Sequence, residues 1–316
     1  MFIQATLIAM VTGAEALWLA HRYVVGTPGE RARVRREVEA YVLMWVAASA
    51  LYALYANAHQ IDSALASMIL GLNQAEASVV TPDASAVGEG LMGLFREVSE
   101  AYTAYWTYIT ALRFIGSVGF SLIVEFTVNI GSIGSWLQSV TWAYSEGLQW
   151  MMLDIAFQYA LWLIWRSLNT AWPLLIGLII PRSTRPIGAS LTALWIVLTL
   201  SLPILYTALF KAVANYALFS PAVNTGISCL RNIQLGGTST FTCILHQALS
   251  LSPGDWLNFV ENLLNPISDA ARLPQAGFML MTWDALLDVG YALALLFSTW
   301  IGRLIDEGAL AILPTP

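Results

Sequence analysis

Apolar residues in this chain come in long runs rather than short alternating stretches. Phe2 to Val25 is the first, and at about 20 residues per crossing it is long enough for a transmembrane helix. Gly26-Thr27-Pro28-Gly29 follows, then the densest basic cluster of the chain, Arg31, Arg33, Arg35 and Arg36, and a second run from about Tyr41 to Ala58. Between 59 and 101 the pattern changes. Ile61 to Leu72 is apolar but short. Beyond a Thr81-Pro82-Asp83 turn, Leu91, Leu94, Phe95, Val98 and Tyr102 recur at helical spacing, with Glu89, Arg96, Glu97 and Glu100 between them. That spacing predicts an amphipathic helix, lying on the outer membrane surface or leading directly into the next span.

Tyr102 to Val124 predicts a third span, interrupted by Arg113. Asn129 to Tyr144 is shorter and holds Gly131 and Gly134, so residues 125–145 either span or re-enter. Glycines at 116, 119, 131 and 134 allow close helix approach or local unwinding. Leu148 to Ile180 is too long for one straight crossing, and Pro173 is placed to kink or divide it. Ile187 to Ala217 contains Pro203, which predicts a bend. Residues 218–275 form a large exposed loop with a short helix from Asp255 to Leu264. A last run, Phe278 to Ile301, ends at Arg303.

Composition supports a membrane class. Of the 316 residues 58% are apolar and only 11% charged, against about half and about a quarter in soluble domains. Mean hydropathy is +0.66. The net charge of −6 matters less than where the charges lie. Arg31, Arg33, Arg35 and Arg36, together with Arg182 and Arg185 in the Pro181–Pro186 turn, place those short turns in the cytoplasm by the positive-inside rule. The predicted fold is therefore all-α, a polytopic transmembrane bundle of about seven spans, N-terminus outside and C-terminus inside. The N-terminal run lacks a basic start, carries Glu15 and exceeds a signal-peptide core, so it reads as a retained span. Cys229 and Cys243 share one loop on the outer side of this topology. A disulfide closing about 15 residues there contributes roughly 3 kcal/mol and implies an oxidising compartment.

Candidate chemistry is sparse. Ionisable residues inside spans are costly, and here they are Glu15, Arg113, Glu125, Asp154, Arg166, Asp284 and Asp288. Asp284 and Asp288, four apart, share one helix face. The two arginines are candidate partners for acids on neighbouring helices. These residues form either a polar or ion-coupled pathway or structural ion pairs. His21, His59 and His246 have no metal-ligand spacing. Trp106, Trp136, Trp142, Trp150, Trp172, Trp256 and Trp300 fall near span ends, as in an interfacial aromatic belt. No phosphate loop, zinc motif or nucleophile elbow is present, so no enzymatic activity and no cofactor is expected. The last span has no lysine for a retinal Schiff base.

The plan of the chain divides into 1–58, two spans with the arginine turn; 59–101, an extracytoplasmic amphipathic loop; 102–217, a long-helix core; 218–275, the cysteine loop; and 276–316, the last span with a short tail. An N-out first span, a large outer loop and long hydrophobic helices around a basic turn, Leu148 to Ala217, resemble the polytopic channel component of type IV secretion and conjugation systems. The archaeal DNA-exchange (Ced-type) membrane protein is the variant most similar in plan. The resemblance implies a multi-pass cell-membrane protein that is oligomeric or part of a larger complex. It would work beside a motor ATPase in trans, with DNA as passenger and lipid as surroundings. It carries no functional residue across. A secondary transporter for a small solute and a structural subunit of a membrane complex are the alternatives.

Overall fold

In a computed structural model the described residues are 2–71, 82–117, 130–179, 184–217 and 272–311. Among them every regular element is an α-helix: α1 (Phe2–Val25), α2 (Pro28–Ala56), α3 (Ala58–Leu70), α4 (Val87–Ser117), α5 (Ile130–Val140), α6 (Trp142–Thr170), α7 (Trp172–Ile179), α8 (Arg185–Tyr216) and α9 (Leu273–Ala311). Two are long and apolar enough to cross a membrane, Arg185–Tyr216 and the Leu273–Asp306 part of α9. By internal contacts the chain forms two units. One comprises Met1–Glu89, Gln158–Thr207 and Asp288–Pro316, the other Gly90–Phe157 and Ala208–Leu287.

The predicted boundaries are corrected in five places, one of them α9, which starts at Leu273 inside the stretch read as loop and runs on to Ala311. The first arginine cluster is not a loop. Thr27 caps α2: its hydroxyl accepts from the Glu30 amide at 3.4 Å, and the Glu30 carboxylate accepts from the Thr27 amide at 2.8 Å. This is a capping box with Pro28 as first helical residue. The helix therefore begins before Arg31, and the turn shrinks to Gly26 and Thr27. The same two Thr27 groups hold the Glu30 carboxyl below its ordinary value. Second, the amphipathic stretch and the run after it are one 31-residue helix, α4, so the boundary read at 101 lies inside it. Third, the break in the 148–180 run comes at Ala171, two residues before Pro173. Proline lacks an N–H and is tolerated in a first helical turn, and here it sits second in α7. Fourth, α8 starts at Arg185 rather than beyond it. Pro203 lies inside α8, where the Thr207 hydroxyl donates to the Pro203 carbonyl at 2.8 Å.

α5 has 11 residues, roughly 16 Å at 1.5 Å per residue, half of a hydrocarbon core of about 30 Å. It stops at Thr141, whose amide and hydroxyl both bond to the Leu137 carbonyl, at 2.8 and 2.7 Å. Residues 125–129 of the run that either spans or re-enters lie outside the described residues. The cysteine pair and the helix predicted at 255–264 lie outside the described residues.

In the first unit, α1 packs on α2 and on α7. α7 and α8 approach closely, because a Cβ on Gly188 would stand 2.6 Å from the Leu178 carbonyl carbon. In the second unit, α4 runs antiparallel to α6. Gln149 donates to the Tyr102 hydroxyl at 2.7 Å, and Tyr105 hydrogen-bonds Thr141 at 2.6 Å, further along α4 and earlier on the α6 side. α4 meets this core along a 3.6-residue stripe that includes Leu91, Leu94, Val98, Ala101, Tyr105 and Tyr108, all buried.

Candidate functional site

Two polar features of the first unit have the burial expected of a functional site. The larger is a seam between α6 and α8. On α6, Gln158, Trp162, Trp165 and Asn169 recur at spacings of four, three and four, so they occupy one helical face. Gln158 donates to the Leu202 carbonyl at 3.2 Å, next to Pro203. The Trp165 indole donates to the Thr199 hydroxyl at 2.9 Å. The Trp195 indole donates to the Asn169 side-chain carbonyl at 3.2 Å. Residue numbers rise on α6 as they fall on α8, which is the antiparallel register. Thr199 passes its own proton back to the Trp195 carbonyl at 2.7 Å, and Trp195 stacks on Trp172 with rings 10° apart. Buried hydrogen bonds of this kind lock one register, because slippage would leave several donors unpaired at once. Gln158 Oε1 and Thr192 Oγ1 are buried with no hydrogen-bond partner. The seam contains no nucleophile paired with a base.

The second feature is Asp62 on α3. It falls on the buried stripe Ala58, Asp62, Ala66, with a relative exposure of 2%. Its Oδ1 has no hydrogen-bond partner. Burial, reinforced by the nearby Asp83 carboxylate, pushes its carboxyl from the ordinary 3.8 up to about 8. The folded protein therefore holds this proton across a range where the unfolded chain has lost it, and stability falls as pH rises from about 4 to about 8. Asp62→Asn, which removes the charge but keeps the shape, is expected to flatten that slope. It should also raise the melting temperature at pH 8 by on the order of a few degrees, with little change at pH 4. Thermal unfolding in mild detergent at the two pH values measures this. An unchanged slope would show that Asp62 ionises freely.

The residues singled out from sequence are dispersed. Asp154 is buried on α6, Glu15 and Asp284 are half-buried on α1 and α9, and Asp288 is exposed one turn from Asp284. Arg113 donates to Gln138 of α5 rather than to an acid. Arg166 lies 5.3 Å from the centre of the Trp162 ring on its own helix, a cation–π contact. Arg185 is buried, and its Nε donates to the Ile179 carbonyl at 3.2 Å, while the Thr184 hydroxyl donates to the Leu178 carbonyl at 2.9 Å. Both close orphan carbonyls at the end of α7. Arg33 pairs with Glu37 at 3.4 Å and Arg35 with Glu39 at 3.6 Å, each one turn along α2, and Arg22 reaches Glu37 at 3.1 Å. Arg36 is half-buried on the same helix. Glu125, Arg182, Cys229 and Cys243 lie outside the described residues.

Sequence analysis missed three features. The seam had a signal in the spacing of Gln158, Trp162, Trp165 and Asn169. The α2 cap had one in Thr27-x-x-Glu30. Asp62 had none, since a single acid in a short apolar run reads as exposed. No family model, curated protein or solved structure matches this chain.

Proposed function

We propose that this chain is a multi-pass membrane protein whose spans embed it in the cell membrane, as a non-catalytic subunit of a larger channel-forming assembly. The observation that carries the proposal is a reversed distribution of polarity. Large apolar side chains face outward on α9 (Leu286, Val289, Leu293, Leu296, Phe297, Trp300), and on α1, α2 and α6 the same holds for Trp18, Val46 and Leu153. Asp62, Asp154, Gln158, Thr192, Thr199 and Thr207 are buried instead. Contiguous apolar exteriors of this extent mark a lipid or protein interface rather than a water-facing surface. Spanning helices pair polar groups among themselves, as the Trp165–Thr199 and Trp195–Asn169 bonds between α6 and α8 do. Exposed Trp136, Trp142, Trp150 and Trp300 fit the interfacial belt.

The substrate is DNA, moved by a motor ATPase in trans. This part of the proposal is supported by the resemblance in plan to conjugation and type IV secretion channel subunits. The arginines of α2 serve orientation rather than DNA capture, as the positive-inside rule reads a short basic turn. Deleting the chain is expected to abolish DNA transfer, and the extracted protein is expected to run as an oligomer that co-purifies with an ATPase. A monomeric protein whose loss leaves transfer intact would sink the proposal. Glutamine at 31, 33, 35 and 36 together is expected to disturb insertion. Where insertion is correct, transfer should persist.

One observation favours a proton-coupled solute transporter instead: the buried carboxyl of Asp62, which burial pushes up to about 8. Uptake that collapses in Asp62→Asn while DNA transfer is unaffected would favour that second function.

A further inference from the structure

We infer that the groove between α1 and α2 binds one anionic phospholipid, its acyl chain along the helices and its phosphate at the arginines of the first turns of α2. The inference rests on the membrane reading above. The groove encloses about 530 Å³, within the range of roughly 300–1,000 Å³ typical of small-molecule sites. Ala16, Ala20 and Val24 of α1 form one wall, and Arg35, Val38 and Tyr41 of α2 form the other. Ala16 and Ala20 are one turn apart, and their small side chains open the groove.

Polarity is graded along it. At the end away from the turn, the Tyr41 hydroxyl is already committed to the Thr12 carbonyl at 2.9 Å, so that end offers a ligand only carbon. At the other end stands Arg35, its side chain 80% exposed and held only by a 3.6 Å contact to the 63% exposed Glu39. Such an exposed pair contributes little and yields readily to a competing anion. Arg36, the next residue of α2 though not part of the groove wall, has no ion-pair or hydrogen-bond partner among the described residues. Arg31 donates to the Gly26 and Val24 carbonyls, so its guanidinium is already engaged with backbone at the rim. Between residues 22 and 39 arginines outnumber acids five to three.

A soluble anion would use the arginines and have no use for the carbon-lined length. A neutral lipid would do the reverse. An anionic phospholipid uses both, and the outward-facing Leu17, Trp18, Val42 and Trp45 beside the groove place its mouth in an apolar surround. Basic residues next to a span attract anionic headgroups additively.

The full-length protein, extracted in mild detergent, is tested by native mass spectrometry with added phosphatidylglycerol, phosphatidylcholine or inorganic phosphate. Wild type is expected to retain phosphatidylglycerol over phosphatidylcholine by roughly tenfold, and phosphate alone to leave no adduct. Ala20→Phe fills the groove at an exposed position and should abolish retention of both lipids. The double variant Arg35→Gln, Arg36→Gln should lose the preference between lipids while still binding them. Equal retention of the two lipids by wild type, or unchanged retention in Ala20→Phe, overturns the inference. So does an adduct with phosphate alone, or a dimer that Ala20→Phe dissolves without lipid involvement. Resistance of the wild-type chain to carbonate extraction separates the two proposals. If it is extracted, the membrane reading fails; if it resists and shows no lipid preference, only the lipid site fails.

Discussion

Gly277→Val is expected to unfold the packing of α9 against α6 in the second unit and to lower the melting temperature more than any surface change. A Cβ at 277 would stand 2.3 Å from the Tyr144 amide nitrogen and 2.4 Å from the Ala143 carbonyl carbon. Those atoms are backbone, and a helix cannot swing a backbone aside as it swings a side chain. On the facing surface a Cβ at Gly147 would meet the Leu280 Cβ at 2.9 Å and the Gly277 carbonyl at 3.0 Å. Ala143 and Gly147, one turn apart on α6, therefore let α9 approach to backbone contact, the small-residue crossing familiar in membrane helices. Overpacking a side-chain core costs about 1–3 kcal/mol, and the rigid contact here puts the valine at or above the top of that range. Gly93→Ala is the control. It lies exposed on α4 with nothing within 4 Å of its would-be Cβ, so a gain of up to about 1 kcal/mol in helix propensity is the only effect expected. Circular dichroism melts in mild detergent measure both. A Gly277→Val protein that melts with wild type would show that α9 is not closely packed there.

Trp162→Ala is expected to be the most destabilising truncation in the first unit. The side chain is 8% exposed, and its indole donates to the Ala84 carbonyl at 3.0 Å. Its six-membered ring lies where a Cβ on Gly88 would stand, at 2.5 Å. It also carries Arg166 over its face and stacks on Tyr159 at 5.5 Å. Truncation removes all four contacts and leaves a cavity under Gly88, a loss of about 3–5 kcal/mol. Trp162→Phe keeps most of the volume and forfeits the hydrogen bond, so on the order of 1–3 kcal/mol is expected. The gap between the two variants separates packing from polar satisfaction. Gly88→Ala should approach the alanine truncation, since the ring and the new methyl claim the same space. Equal melting temperatures for Trp162→Ala and Trp162→Phe would overturn this account.

Helical class and the extent of α1 were legible in the sequence because each depends on local hydropathy and length alone, whereas α9, Leu273–Ala311, outruns the predicted Phe278 to Ile301 at both ends. Phe2 to Val25 is observed as a helix with the predicted bounds, and Pro203 lies inside α8. Errors gathered where two local rules competed. Thr27 and Glu30 cap a helix, yet Gly26, Pro28 and Gly29 beside them read as a loop. The change of polarity at 101 read as a boundary, but a helix can change its surroundings without ending. Pro173 read as a breaker at its own position, whereas the physical requirement falls on the residues before it.

Partnership was not legible. Arg113 and Arg166 looked like counter-ions for intramembrane acids, and they meet Gln138 and the Trp162 ring instead. The α6–α8 ladder needs residues 158 and 202, and 169 and 195, to face one another. Asp62 is buried only because α3 turns the Ala58–Asp62–Ala66 stripe inward. The α1–α2 groove exists because Ala16 and Ala20 face Val38 across a hairpin. A hydrophobic run and a basic turn are properties of neighbours in the chain, so sequence determines them directly. Which glycine meets which backbone, which indole finds which hydroxyl and which carboxyl loses its water are decided between segments far apart in sequence, and only the packed structure brings those segments together.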